Sequence, residues 1–402
     1  MSSPALRRFL PVTLTTPLLG SALGIDGGAI FQIFASENLG LGPATIGLAF
    51  GLGVLSLPLQ LWAARMPLWR ARRNLQLFMA IAALQAVGLA ILVSRGEAGG
   101  LAVVVVALAV SAEVFLSVLY ATSWQPLLSR SLGSEDRQRL NARGRAIGGF
   151  VLVVALLVFA SLGADGRVVF LMLVGLVAVC CAIGLRHVDV PVRPVVVADP
   201  SVARMEPTPI SSGVRSIFRV LIVVNLGAWP LTVLYVHEVL WPAVNLGLIG
   251  ALQIAGSLLA SLLWRPTAGT VVGRARAAAM VMLASGAVLA SLPAPLTGVG
   301  EQTALLVAVF TAAAGTTAVR VAMLELAHRS VDEASSVRAF TMLDVVGSTS
   351  LQVGLLFGGV LVALSTDRPD WFVDPYRLYV MAFAVAGASA IARLHVDESA
   401  CR

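Results

Sequence analysis

Residues 146–185 read AIGGFVLVVALLVFASLGADGRVVFLMLVGLVAVCCAIGL, two apolar runs at 146–163 and 167–185 parted only by Ala164-Asp165-Gly166. A run of about 20 apolar residues is what one helix needs to cross roughly 30 Å of hydrocarbon. The pattern recurs along the chain. Apolar runs at 11–34, 43–64, 74–94, 101–127, 146–163, 167–185, 216–240, 243–264, 277–294, 303–327, 339–364 and 377–393 predict twelve membrane-crossing helices. Composition agrees: of 402 residues, 58% are hydrophobic and 12% charged, against about 25% charged in soluble domains. Mean hydropathy is +0.90.

The net charge of +7 comes with 28 basic residues, all arginine. They stand in short gaps between apolar runs, where basic residues set membrane orientation, so we read them as topology signals and expect no nucleic-acid partner. With both termini on one side, 23 arginines fall on that side, four (Arg95, Arg167, Arg368, Arg377) on the other, and Arg320 inside the membrane. The positive-inside rule makes the richer side cytoplasmic, which predicts a multi-pass plasma (inner) membrane protein with cytoplasmic termini. Arg7 and Arg8 precede an apolar stretch too long for a cleaved signal peptide, so it is expected to stay as the first span. Cys180, Cys181 and Cys401 predict no disulfide framework. Together with His187, His237, His328 and His395 they show no metal-ligand spacing, so neither a metal nor another cofactor is expected.

Between Arg186 and Arg219 lie Pro191, Pro194, Pro200, Pro207 and Pro209, which fix extended backbone and remove amide donors. This predicts a six-helix half over 1–186, a proline-rich cytoplasmic linker over 187–214 and a second six-helix half over 215–402. Short matches support a repeat. Trp62-Ala63-Ala64-Arg65 and Trp264-Arg265 end the second and eighth runs 202 residues apart, and Ile46-Gly47 and Ile249-Gly250 open them.

Twelve spans, a 6+6 division, a basic gap after the second span and a central linker resemble the major facilitator superfamily of secondary transporters. The family's loop after the second span reads G-x-x-x-D-R-x-G-R-R; residues 65–73, RMPLWRARR, keep arginines and lose the aspartate and glycine. The resemblance extends to Glu37-Asn38-Leu39-Gly40-Leu41-Gly42, and to Trp124 with the Arg137–Arg145 segment. The antiporter glycine-proline signature on span five is absent. The fold implied is all-α, and spans one, four, seven and ten would line a central cavity. Arg65, Arg72 and Arg73 are gating candidates by the same likeness. Asp344, early in span eleven, either replaces the missing latch aspartate or is a helix end favoured by the dipole.

Charges at membrane depth are costly and mark functional sites by default. Between their end residues spans three, six, nine and twelve contain none, while span one holds Asp26, span four Glu113 and span ten Arg320, with Asn225, Trp229 and Tyr235 in span seven. Asp26 sits among Gly24, Gly27 and Gly28, and span seven carries Gly227-Ala228-Trp229-Pro230 at the corresponding offset. Paired helix interruptions point to a transporter's binding site. On this reading Asp26 titrates or pairs with a cationic group while Trp229 and Tyr235 form an aromatic wall; the alternative is a structural aspartate satisfied by hydroxyls such as Ser21. Glu113 and Arg320 form either a gating or substrate-carboxylate site, or a structural ion pair. Walker, nucleophile-elbow and zinc-protease motifs are missing, so no enzymatic activity is expected. The leading expectation is a monomeric secondary active transporter in the lipid bilayer. It would move a small organic solute by alternating access with proton coupling, with export of drug-like or secondary metabolites favoured. Uptake of a carboxylate-bearing nutrient, and a non-transporting assembly or receptor protein, are the alternatives.

Overall fold

In hydrocarbon no water is available to satisfy backbone polar groups, so long apolar runs must close their hydrogen bonds internally, as helices. The computed structural model describes residues 4–23, 28–58, 71–95, 100, 102–111, 119–120, 123–124, 134–187, 212–263, 271–330, 333–367 and 374–394, and there all regular structure is helical. The segments are α1 (Pro4–Leu23), α2 (Ala29–Ile33), α3 (Pro43–Leu52), α4 (Ala71–Arg95), α5 (Ala102–Ser111), α6 (Ser134–Ser161), α7 (Ala164–Gly184), α8 (Ser212–Leu226), α9 (Thr232–Tyr235), α10 (Leu246–Leu263), α11 (Val271–Ser291), α12 (Val299–Ser330), α13 (Glu333–Asp367) and α14 (Pro375–Ala392). Each of the twelve apolar runs contains at least one segment. The number is larger because the first run is divided between α1 and α2, and the seventh between α8 and α9. Seven helices among the described residues are long and apolar enough to cross a membrane.

Several helices outrun the apolar stretches that announced them. α6 starts at Ser134 rather than 146, α12 covers 299–330 rather than 303–327, and α13 covers 333–367 rather than 339–364. Hydropathy reports only the apolar part of a helix, whereas backbone bonding continues through arginine and glutamate, both good helix formers. The proline-rich linker lies outside the described residues between 188 and 211, and α8 begins at Ser212.

Two antiparallel pairs, α4 with α7 and α11 with α12, pack along much of their lengths, and α11 also packs on α14. Apolar side chains remain outward on these helices, including Leu77, Leu84 and Ile91 on α4, Leu173 and Leu176 on α7, and Met280 on α11. Two other pairs join distant parts of the chain: α3 packs on α13, and α6 on α10. Glycine makes the first contact possible. A Cβ on Gly47 would lie 2.7 Å from Gly359 Cα, and one on Gly359 only 2.5 Å from Pro43 O, so the backbones touch directly. Small residues permit such approach between membrane helices.

Both broken runs end alike. α2 passes into a π-helical turn at Phe34–Asn38, and α9 into another at Val236–Leu240. First residues 34 and 236 are 202 apart, the offset of the sequence matches. The first turn is gripped by an arginine from a later helix, and Tyr235, the residue just before the second, is held by another. Arg167, 6% exposed near the start of α7, pairs with Glu37 and donates to Asn38 Oδ1 at 2.7 Å and Phe159 O at 3.3 Å. Arg377, at the start of α14, donates from Nε to Tyr235 Oη at 2.7 Å, meets Asp374 at 3.3 Å and also donates to Leu292 O. Asp374 caps α14, accepting from the Tyr376 and Arg377 amides, from the Ser365 hydroxyl at 2.7 Å and from Tyr235.

Candidate functional site

The break between α8 and α9 is built by Gly227-Ala228-Trp229-Pro230-Leu231. Pro230 has no amide to donate. Trp229 (φ 49°) and Leu231 (φ 56°) occupy the left-handed region, which costs of order 1–3 kcal/mol for each non-glycine residue and persists only where the surroundings enforce it. Here they do. Leu226 O, freed by the break, accepts from Tyr379 Oη at 2.6 Å, and Pro230 O from Tyr376 Oη at 2.9 Å. Trp229 O accepts from the Thr232 amide at 3.2 Å and from its hydroxyl. α13 leaves space for the irregular backbone through Gly354 and Gly358, whose Cβ atoms would lie 2.8 Å from Leu226 O and from Pro230 Cγ.

Beside the break lies a cavity of about 160 Å³. Its polar lining comes from four helices: Gln32 on α2, Thr232 on α9, Gln253 and Ser257 on α10, and Thr316, Thr317 and Arg320 on α12, while the α8–α9 break adds Trp229 and Pro230. Among the described residues, Arg320 is the single charged group in that lining. Its Nε donates to Asn225 Oδ1 at 2.7 Å, and Asn225 Nδ2 donates on to Gly347 O at 3.3 Å. Asn225 is 5% exposed and occupies the last turn of α8. The amide thus holds the half-buried guanidinium against the break and ties both to α13.

Of the residues singled out in the sequence, Asn225, Trp229 and Arg320 meet here. Tyr235 goes elsewhere: it is fully buried, stacks on Tyr376 at 4.1 Å between ring centroids, and bonds Asp374 and Arg377, so it belongs to the polar cluster at the start of α14 and is not among the described residues that line the cavity. Arg72 and Arg73 are exposed on the first turn of α4, away from the cavity lining. Asp344 lies within α13, with its side chain outside the described set. Asp26, Glu113 and Arg65 also fall outside the described residues. Gln32, Gln253, Ser257, Thr316 and Thr317 join the site without having been expected there. Each interrupts an apolar run with an uncharged polar group, a signal that a search for charges passes over. Among the described residues no group of three or more histidine, cysteine or acidic side chains could hold a metal ion.

The sequence matches no protein-family model and no curated protein. Its structure does match solved ones. A point mutant of the nucleoside transporter NupG superposes with a TM-score of 0.64 at 11% identity, covering 98% of this chain and 100% of that one. A bacterial homologue of the iron transporter ferroportin, outward-facing, gives 0.60 at 15% identity over 96% and 99%. The human organic anion transporter MFSD10 gives 0.59 at 14% identity, with 96% of both chains covered. The chain has the fold of the major-facilitator-type transporters, and is a multi-pass membrane protein.

Proposed function

We propose that this chain is a secondary active transporter of twelve spans in two six-helix halves, 1–186 and 215–402, joined by the 187–214 linker. Its termini are cytoplasmic, and it moves a small organic solute by alternating access. The observation that carries the reading is the Arg320–Asn225 pair in a cavity against a broken helix. Discontinuous helices facing a midplane cavity are where secondary transporters bind their cargo. The matching π turns, 202 residues apart, support the two halves.

Arginine offers a planar fork matched to carboxylate or phosphate. Uncharged amides and hydroxyls around Arg320 are suited to the polar remainder of a small solute. The cavity therefore favours cargo bearing an anionic group over the drug-like metabolites that an apolar span composition suggested. Coupling to protons is assigned to Asp26 and Glu113, whose carboxyl groups can load and release a proton at membrane depth.

Transport into proteoliposomes under an imposed pH gradient tests the reading. A panel of organic anions, nucleosides and neutral solutes should include one whose flux stops when a protonophore collapses the gradient. Arg320→Gln should abolish that flux in a protein of unchanged melting temperature, and Asp26→Asn with Glu113→Gln should uncouple it from pH. Flux of organic anions that survives Arg320→Gln would overturn the site, and flux insensitive to both acid substitutions would overturn the coupling.

A further inference from the structure

A second recess lies far from the cavity, on the outer surface where the start of α4 meets the end of α7. It is about 750 Å³, within the roughly 300–1,000 Å³ of ordinary ligand sites. Two arginines from different helices stand at its mouth. Arg73 belongs to the first turn of α4, and Arg186 to the 3-10 turn Leu185–His187 that continues α7. Below them, towards the middle of both helices, the walls are apolar: Leu77 is 48% exposed, Val179 42% and Ile183 50%. Gln76 Nε2 donates to Ala182 O at 3.3 Å and bridges the floor. No acid lines the recess among the described residues.

Each half of this arrangement calls for a different part of one molecule. Exposed Leu77, Val179 and Ile183 lie on helices apolar enough to span a bilayer, so acyl chains cover them. The two guanidinium groups sit one or two helical turns further along, where the hydrocarbon gives way to headgroups. Basic pockets between spans are where anionic headgroups bind, and guanidinium makes two-pronged, charge-assisted bonds to phosphate. We infer that the α4–α7 recess is a binding site for an anionic phospholipid, with its headgroup phosphate on Arg73 and Arg186 and one acyl chain along Leu77, Val179 and Ile183. The inference rests on the multi-pass membrane reading and not on transport.

Native mass spectrometry of the full chain released from detergent micelles tests it. The probes are phosphatidylglycerol, phosphatidylcholine with the same acyl chains, and inorganic phosphate. Phosphatidylglycerol should bind at least about tenfold more tightly than phosphatidylcholine, and phosphate alone should not bind at the same concentration. Arg73→Gln with Arg186→Gln should erase the preference, and Ala80→Trp, which fills the recess without touching charge, should reduce binding of both lipids. Arg219→Gln, an exposed arginine on α8, should change nothing. Retention of the phosphatidylglycerol preference in the double variant, equal binding of the two lipids by the unaltered chain, or equal binding of free phosphate would each overturn the proposal. Because lipid binding is read without cargo, a failure of transport leaves this test standing.

Discussion

Replacing Gly359 by alanine should force open the seam between α3 and α13. The added Cβ would meet Pro43 O at 2.5 Å, Gly47 Cα at 2.6 Å and Gly47 N at 3.0 Å, whereas ordinary contact begins at 3.4 Å. The shortfall against Pro43 O is 0.9 Å. All three atoms are backbone, so no rotamer can relieve the clash and the helices themselves must separate by that amount. Overpacking of this kind costs about 1–3 kcal/mol. If the seam parts during the transport cycle, the cost falls only on the arrangement in which it is closed, and a bias of that size shifts the equilibrium roughly 5- to 150-fold. The assay is labelling of a cysteine introduced at Thr316, which lines the cavity and is 8% exposed. Cys180, Cys181 and Cys401 are first replaced by alanine, and an impermeant maleimide is applied from the side on which Pro43 lies. Gly359→Ala should raise the labelling rate within that range. An unchanged rate in a protein that still melts cooperatively would refute the expectation that parting this backbone contact opens the cavity.

Three further outcomes follow from contacts already described. Asp374→Ala removes the cap of α14 and strands Arg377 and Tyr235, so thermal unfolding in detergent should show a loss beyond the roughly 0.5–2 kcal/mol of a cap alone, with Asp374→Asn intermediate. Tyr379→Phe leaves Leu226 O without the hydroxyl that satisfies it and should cost about 1–3 kcal/mol by the same measurement. Arg167→Gln releases Glu37 and Asn38 from α7 and should lower the melting temperature at low and high salt alike, because a 6%-exposed guanidinium is poorly screened; a loss that disappears at high salt would count against a buried grip.

Chain-wide features were readable because they obey a length rule that needs no knowledge of neighbours. Among the described residues every helix falls on an apolar run, and the break in the seventh run was announced by Gly227 and Pro230. Helix ends were less legible. The first turns of α6 and α13 are charged, and a hydropathy window stops where the apolar face stops, not where backbone bonding stops. Arg320 and Asn225 stood out as polar groups among aliphatic ones, but their bond joins residues 95 positions apart and depends on how α8 and α12 pack. Tyr235 shows the opposite failure. An aromatic next to a helix break suggested a cavity wall, yet Asp374 and Arg377 claim it from 139 and 142 residues away. The π turns left no trace in composition, since FASEN and VHEVL share no motif beyond a glutamate third or fourth from the start.

Those two turns set where the chain can tolerate a change of length. A π turn carries one residue more than the α-helical bond pattern requires, because its amides reach back five residues instead of four. Removing one residue from 34–38 or from 236–240 would convert the turn to ordinary α-helix and leave the register of the helix before it intact. The same deletion in the middle of α4 or α12 would rotate everything beyond it by about 100° and turn a buried face outward. Single-residue gaps between this chain and its distant structural counterparts should therefore gather at these two turns, and a deletion scan should find them more forgiving than the middle of α4 or α12.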